Sequence, residues 1–202
     1  MSFKKIVDPN IGENDMLRVI SGSAKGHKLK TIKGLTTRPT SDRVKESIFN
    51  IIAAHLESAN VLDVFAGTGS LGIEALSRGA EKAVFFDKST ECCNLIKDNL
   101  AHTKLAEKAE VYTVDFVGGI ERLHTQGRKF DLILLDPPYN KNFIQDTLKI
   151  LINNDIIRDD GIIVAEHSLS DSLPAVSGRL EAIDSRKYGD TVLTIYIARK
   201  SG

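Results

Sequence analysis

Val61-Leu62-Asp63-Val64-Phe65-Ala66-Gly67-Thr68-Gly69-Ser70-Leu71-Gly72 is the stretch on which the fold turns. Residues 61–65 form an apolar run of strand length, the glycines make a tight turn, and residues 70–78 carry a helical pattern that stops at Gly79. The same alternation continues downstream: strand 83–86, helix 90–100, strand 111–114, a short helix, strand 131–135, helix 143–152 and strand 161–165. Two last strands, 180–186 and 191–198, follow with no helix between them and so form a hairpin. Such alternation predicts an α/β fold, a mostly parallel sheet with helices on both faces. Upstream, residues 17–20 and 28–32 read as the strands of a small basic hairpin punctuated by Gly22, Gly26 and Gly34. A helix then starts from an N-cap at Ser41 or Asp42, with Val44, Ile48, Ile51, Ile52 and Leu56 on one face.

At 202 residues the chain is most simply one domain with a large core. No apolar run approaches a membrane span, and the first ten residues lack the apolar segment of a signal peptide. The cysteines, Cys92 and Cys93, are adjacent, which suits two small buried residues in a reducing compartment. The five histidines have no spaced partners, so no metal site is expected. A cytoplasmic monomer, with no membrane partner, is the expectation.

Net charge is zero but unevenly spread. Residues 16–45 hold eight basic side chains, Arg18, Lys25, Lys28, Lys30, Lys33, Arg38, Arg43 and Lys45, against one acid, Asp42, a local charge of +7. A basic segment on an acidic body is an electrostatic footprint for a polyanion. Arg18, Lys25, Lys28 and Arg43 are therefore candidate polyanion-binding residues. Three parts follow: a lead at 1–15 with no assignment, a basic arm at 16–41 and the α/β domain at 42–202.

Gly67-x-Gly69-x-x-Gly72 matches the dinucleotide fingerprint, and Asp87 lies twenty positions after Gly67, where it can accept both ribose hydroxyls. That pattern is shared by oxidoreductases and methyltransferases. Asp63 separates them. A carboxylate at this strand end would repel a pyrophosphate, which needs N–H donors. It suits S-adenosylmethionine, which carries an ammonium and a sulfonium but no phosphate. Asp115, followed by Phe116, ends the third strand and can accept from an adenine amine beside an apolar ring; capping a helix is the alternative role for both Asp87 and Asp115.

Asp136-Pro137-Pro138-Tyr139 closes the strand at 131–135. The prolines cannot continue a ladder and they stiffen the turn. The corner offers a carboxylate, a backbone carbonyl and an aromatic ring near one point. Those groups hold a planar amine: two acceptors for its N–H groups and a face for its ring. The candidate catalytic residues are thus Asp136, Pro137, Pro138 and Tyr139.

These motifs resemble the class I S-adenosylmethionine-dependent methyltransferases (Rossmann-like) that modify exocyclic amines of nucleobases. A more specific match runs through Arg18-Val19-Ile20-Ser21-Gly22, Lys25-Gly26, Arg38-Pro39-Thr40-Ser41-Asp42-Arg43-Val44-Lys45-Glu46 and Glu74-Ala75-Leu76-Ser77-Arg78-Gly79-Ala80. It is similar to the bacterial RsmD-like family, which methylates N2 of a guanine in small-subunit (16S) ribosomal RNA. His27 departs from the family, where arginine follows the glycine. The resemblance implies a seven-stranded sheet with the last strand antiparallel. It also implies S-adenosylmethionine contacts from Asp63, Gly67, Gly69, Asp87 and Asp115, with Arg38 and Thr40 near the methionine end. The partner implied is 16S rRNA or the assembling small ribosomal subunit. Other readings are an N-methyltransferase acting on DNA adenine or protein glutamine, a nicotinamide-dependent oxidoreductase, and a non-catalytic RNA-binding module.

Overall fold

A computed structural model describes residues 17–32, 42–138 and 143–200. Helix α1 spans Asp42–Ile51 and is followed by β1, Asn60–Asp63. Next come α2 (Ser70–Ser77), β2 (Lys82–Asp87), α3 (Thr90–His102) and β3 (Ala109–Thr113). The second half runs α4 (Phe116–Thr125), β4 (Phe130–Leu135), α5 (Phe143–Asn153) and β5 (Ile157–Ser168). It closes with β6 (Val176–Ser177), β7 (Leu180–Tyr188) and β8 (Thr191–Ala198).

The strands form one sheet in the order β3-β2-β1-β4-β5-β8-β7-β6. The first five are mutually parallel, and β8 inserts antiparallel between β5 and β7. The expected parallel sheet with an antiparallel last strand is present. The described sheet adds an eighth strand, the two-residue β6, at its edge. Strand β5 begins earlier than expected. The polar residues Arg158, Asp159 and Asp160, which precede the expected strand at 161–165, form a register shift inside β5, with Asp160 at φ +58°. The N-terminal hairpin exists as a single antiparallel bridge, Arg18–Lys28, flanked by Val19 N–H to His27 O at 3.0 Å and Leu29 N–H to Leu17 O at 2.7 Å.

Alternation along the central strands sorts the core into two layers. Leu132, Leu134, Ile162 and Val164 face α1, α2 and α3; Ile133, Leu135, Ile163 and Ala165 face α4 and α5. Helix α2 is buried along its whole length, which a surface helix would not be. The cause is residues 17–32, which lie over it and send Leu17, Val19, Ala24 and Leu29 into the same core. Glu74, fully buried on α2, accepts the backbone N–H groups of Ile20 (2.7 Å) and Ser21 (3.0 Å). Ser77 accepts Ala24 N–H at 2.9 Å and donates to Ser21 O at 2.6 Å. The approach is so close that a Cβ at Gly22 would fall 1.8 Å from Ser77 O, and Gly22 has φ +84°.

Lys45, counted above in the local charge of +7, is fully buried. Its ammonium donates to Arg18 O and to Ser70 Oγ (3.1 Å) and lies 3.8 Å from Glu74. Burial pulls its pKa down, against the neighbouring Glu74 carboxylate. Its place is the seam between α1, α2 and the N-terminal segment, not a polyanion surface.

Candidate active site

The strand order builds the site. Asp115, Asp87, Asp63 and Asp136 follow β3, β2, β1 and β4 at or just beyond their carboxyl ends, and these four strands are consecutive neighbours. At about 4.8 Å per strand the four carboxylates span roughly 14 Å, room for a nucleoside with an amino-acid tail. The order reverses between β1 and β4, since β1 leads to β2 on one side while β4 lies on the other. Open α/β sheets bind ligands at this switch point. Asp63 pairs in register with Leu134, two positions before Asp136. The glycine turn and the proline corner therefore flank one crevice, as the sequence reading requires.

Asp63 is 1 % exposed, held beneath the turn it precedes. Its Oδ2 accepts Gly72 N–H at 3.0 Å, and its Oδ1 has no hydrogen-bond partner among the described residues. Burial pushes its pKa up to about 7; the Gly72 N–H opposes this and the nearby Asp87 charge adds to it. A buried carboxylate oxygen without a donor is costly. It fits a cationic ligand group, and an anionic phosphate would only worsen it.

The three glycines do different work. Gly67 (φ +54°) and Gly69 (φ +78°) adopt left-handed conformations that side chains resist. A Cβ on Gly67 would meet nothing within 4 Å, so this face of the turn is open to a ligand. A Cβ on Gly72 would fall 2.3 Å from the Phe85 ring, so that glycine lets α2 pack on β2.

Asp87 Oδ2 accepts Gly67 N–H at 3.0 Å and Oδ1 accepts Ser89 N–H at 2.8 Å. It thus fixes the turn while each oxygen keeps a second lone pair for a ligand hydroxyl. Asp115 takes the capping role: its Oδ1 accepts Gly118 N–H at 3.0 Å at the start of α4. Phe116 is half-buried and packs 5.5 Å from Phe65 and 5.9 Å from Phe143 between ring centroids, with Phe65 and Phe143 also 5.9 Å apart. Phe65 and Phe143 are absent from the sequence-based site. Their signal was available: each follows a strand end within the same crevice, Phe65 two residues after Asp63 and Phe143 seven after Asp136. The trio forms an apolar wall beside the carboxylates.

At the corner, Asp136 is half-buried, Pro137 buried and Pro138 exposed. Tyr139, Arg38 and Thr40 lie outside the described residues. Of the expected RNA contacts, Lys25, Lys28 and Arg43 are exposed, and Arg18 pairs with Asp42 at 2.9 Å on the surface. Such exposed pairs are worth at most about 1 kcal/mol, so a phosphate can displace Asp42 at little cost.

Residues 17–197 match a family described as conserved hypothetical protein 95. A Bacillus subtilis (strain 168) protein provisionally named rRNA methyltransferase YlbH is 41% identical over 183 residues, 91% of this chain and 100% of that one. The ribosomal RNA small subunit methyltransferase D of Haemophilus influenzae is 37% identical over 166 residues, 81% of this chain and 84% of that protein. The structure of an Escherichia coli protein provisionally named methyltransferase yhhF superposes with a TM-score of 0.81 at 30% identity, covering 91% of this chain and 98% of that one.

Proposed function

Because the chain belongs to the conserved hypothetical protein 95 family, the RsmD family of methyltransferases, we propose that it methylates ribosomal RNA, moving a methyl group from S-adenosylmethionine to the exocyclic N2 of a guanine in the small-subunit (16S) rRNA. The observation that carries this reading is the Asp63–Leu134 register, which sets a cation-seeking glycine turn beside the Asp136–Pro137 corner. The relatives named for small-subunit rRNA support the RNA substrate, and the exposed Lys25, Lys28 and Arg43 give it phosphate contacts.

S-adenosylmethionine, when bound, supplies an electrophilic methyl group on a sulfonium. Asp63 Oδ1 is the acceptor offered to its ammonium, Asp87 to its ribose and Asp115 with Phe116 to its adenine; Gly67 and Gly69 let the backbone approach. Arg38 and Thr40 belong to the same proposal at the methionine end.

The guanine N2 lone pair is conjugated into the ring, which makes the amine a poor nucleophile. Asp136 and the Pro137 carbonyl accept its two N–H groups. This favours a pyramidal nitrogen and aims its lone pair. Pro138 stiffens the corner and Tyr139 stacks on the base, worth about 1–3 kcal/mol. Positioning of this kind supplies up to about 7–11 kcal/mol, against the roughly 10²–10⁴-fold of a general base. Orientation is therefore the main task of Asp136, which also takes the proton released once the nitrogen is alkylated. The base must leave its stack to present this edge, at a cost of a few kcal/mol, which phosphate contacts from the basic segment offset. The enzyme works in the cytoplasm on naked rRNA or an assembling subunit.

Incubation with methyl-labelled S-adenosylmethionine and unmodified 16S rRNA, duplex DNA or glutamine-containing peptide tests this. Label is expected in the RNA alone, and lost in Asp136→Ala. Label in DNA or peptide only, or undiminished transfer by Asp136→Ala, would overturn it.

A further inference from the structure

Asn99 on α3 is fully buried and hydrogen-bonds in two directions. Its Nδ2 donates to the carbonyl of Thr68, between the two left-handed glycines, at 3.0 Å. The same Nδ2 donates to Lys30 O at 3.2 Å, and Oδ1 accepts Lys30 N–H at 2.8 Å. One side chain thus ties the tip of the glycine turn to the backbone of the basic segment, residues thirty-one and sixty-nine positions away. The amide cannot flip, because both carbonyls require N–H donors and the Lys30 N–H requires the oxygen.

We propose that Asn99 is a positioning residue that couples the two binding events: ordering of the Gly67–Gly69 turn by cofactor orders the Lys30 segment for RNA, and the reverse. This rests on the function proposed above. Three observations support it. First, the turn is a held unit, with Gly67 N–H on Asp87 Oδ2 at 3.0 Å and Gly69 N–H on Ala66 O at 2.7 Å, so a ligand seated on it acts on Thr68 O, between the two glycines, where Asn99 is bonded. Second, α3 is a rigid intermediary: Ile96, one turn before Asn99, would stand 3.2 Å from a Cβ on Gly69. Third, among the described residues the Lys30 ammonium is held by an exposed pair with Asp98 at 2.9 Å, which RNA phosphate can replace. Two ligands that each order the same linked element bind with positive cooperativity, without any large structural change. Were Asn99 only a structural filler for buried backbone groups, its loss would weaken both ligands without altering their mutual effect.

The experiment measures the Kd of an unmodified 16S rRNA transcript with and without saturating S-adenosylhomocysteine, and the reciprocal S-adenosylhomocysteine Kd with and without RNA. The wild-type protein is expected to bind RNA about fivefold or more tightly with S-adenosylhomocysteine present, with the same factor in the reciprocal titration. In Asn99→Asp, which is isosteric but cannot donate to Thr68 O or Lys30 O, the factor should fall to one. Ser77→Ala loosens the segment from α2 without touching the turn; it should weaken RNA binding and keep the factor. Hydrogen exchange on the wild-type protein provides a reading independent of any variant: S-adenosylhomocysteine alone should slow exchange of the Lys30 amide. A wild-type factor of one, a factor unchanged in Asn99→Asp, or an indifferent Lys30 amide would overturn the coupling while leaving the methyltransferase reading intact. Failure to bind S-adenosylhomocysteine at all would instead defeat that reading, and the coupling with it.

Discussion

Asp63 accepts the backbone N–H of Gly72 at 3.0 Å and so clasps, from below, the helix that its own strand leads into. Burial raises the Asp63 pKa from the usual 3.8 to about 7. Between those values the folded protein holds a proton that the unfolded chain has released. This group's contribution to stability therefore falls as pH rises through that window. Roughly 4 kcal/mol is involved at pH 8, less about 1–3 kcal/mol for the unpaired amide left by substitution. Asp63→Asn should accordingly stabilise the ligand-free protein by about 1–3 kcal/mol in urea melts at pH 8, and not at pH 4. The same variant should lose S-adenosylhomocysteine affinity. Wild-type affinity should drop about tenfold per unit as pH falls below about 7, because the ammonium needs the ionised carboxylate. A flat affinity between pH 5.5 and 8 would contradict this role.

The glycine turn separates binding from folding. Gly72→Ala drives a Cβ to 2.3 Å from Phe85 Cε1, so it should destabilise the protein by about 1–3 kcal/mol. Gly67→Ala meets no protein atom but strains a backbone at φ +54°, which costs about 1–2 kcal/mol. Its methyl group projects into the open face of the turn. Calorimetry should show S-adenosylhomocysteine affinity reduced at least tenfold in Gly67→Ala. A Gly67→Ala protein that binds normally would show that the ligand does not approach there.

Glu74 joins α2 to the N-terminal segment through Ile20 and Ser21 N–H, and to Arg78 (2.7 Å) and Lys45 through charge. Glu74→Ala would leave the Lys45 ammonium buried without its counter-charge, at a cost of about 3–5 kcal/mol. Denaturant titration should record that loss. A change below 1 kcal/mol would mean that Lys45 sheds its proton or finds water.

The parallel sheet and its glycine turn were legible because strand, turn and helix have different periods, and residues 61–78 display all three within one stretch. Asp63, Asp87, Asp115 and Asp136 were legible because each ends an apolar run. Four features were not. Lys45 looks like a surface cation in sequence, and only the burial of Glu74 opposite it reveals a core ion pair. Phe65 and Phe143 look like ordinary core residues until three strand ends bring them together with Phe116. Asn99 lies in the last turn of α3, where its bonds to Thr68 and Lys30 depend entirely on tertiary packing. The early start of β5 was hidden because Asp159-Asp160-Gly161 carries turn chemistry inside a strand.

With Lys45 buried, the proposed RNA surface rests on exposed cations such as Lys25, Lys28 and Arg43. Replacing these three together by glutamine should weaken binding of the 16S transcript. It should also reduce the slope of log K against log salt by about 2–3. Fluorescence anisotropy between 50 and 200 mM salt reads both. An unchanged slope would place the phosphate contacts elsewhere on the molecule.

In the proposed reaction the crevice between β1 and β4 presents a guanine amine to a methyl donor. Mass spectrometry of nucleosides from unmodified 16S rRNA, after incubation with the protein and methyl-labelled S-adenosylmethionine, addresses it most directly. Label is expected in N2-methylguanosine. Label confined to N6-methyladenosine, or in no nucleoside at all, would contradict it.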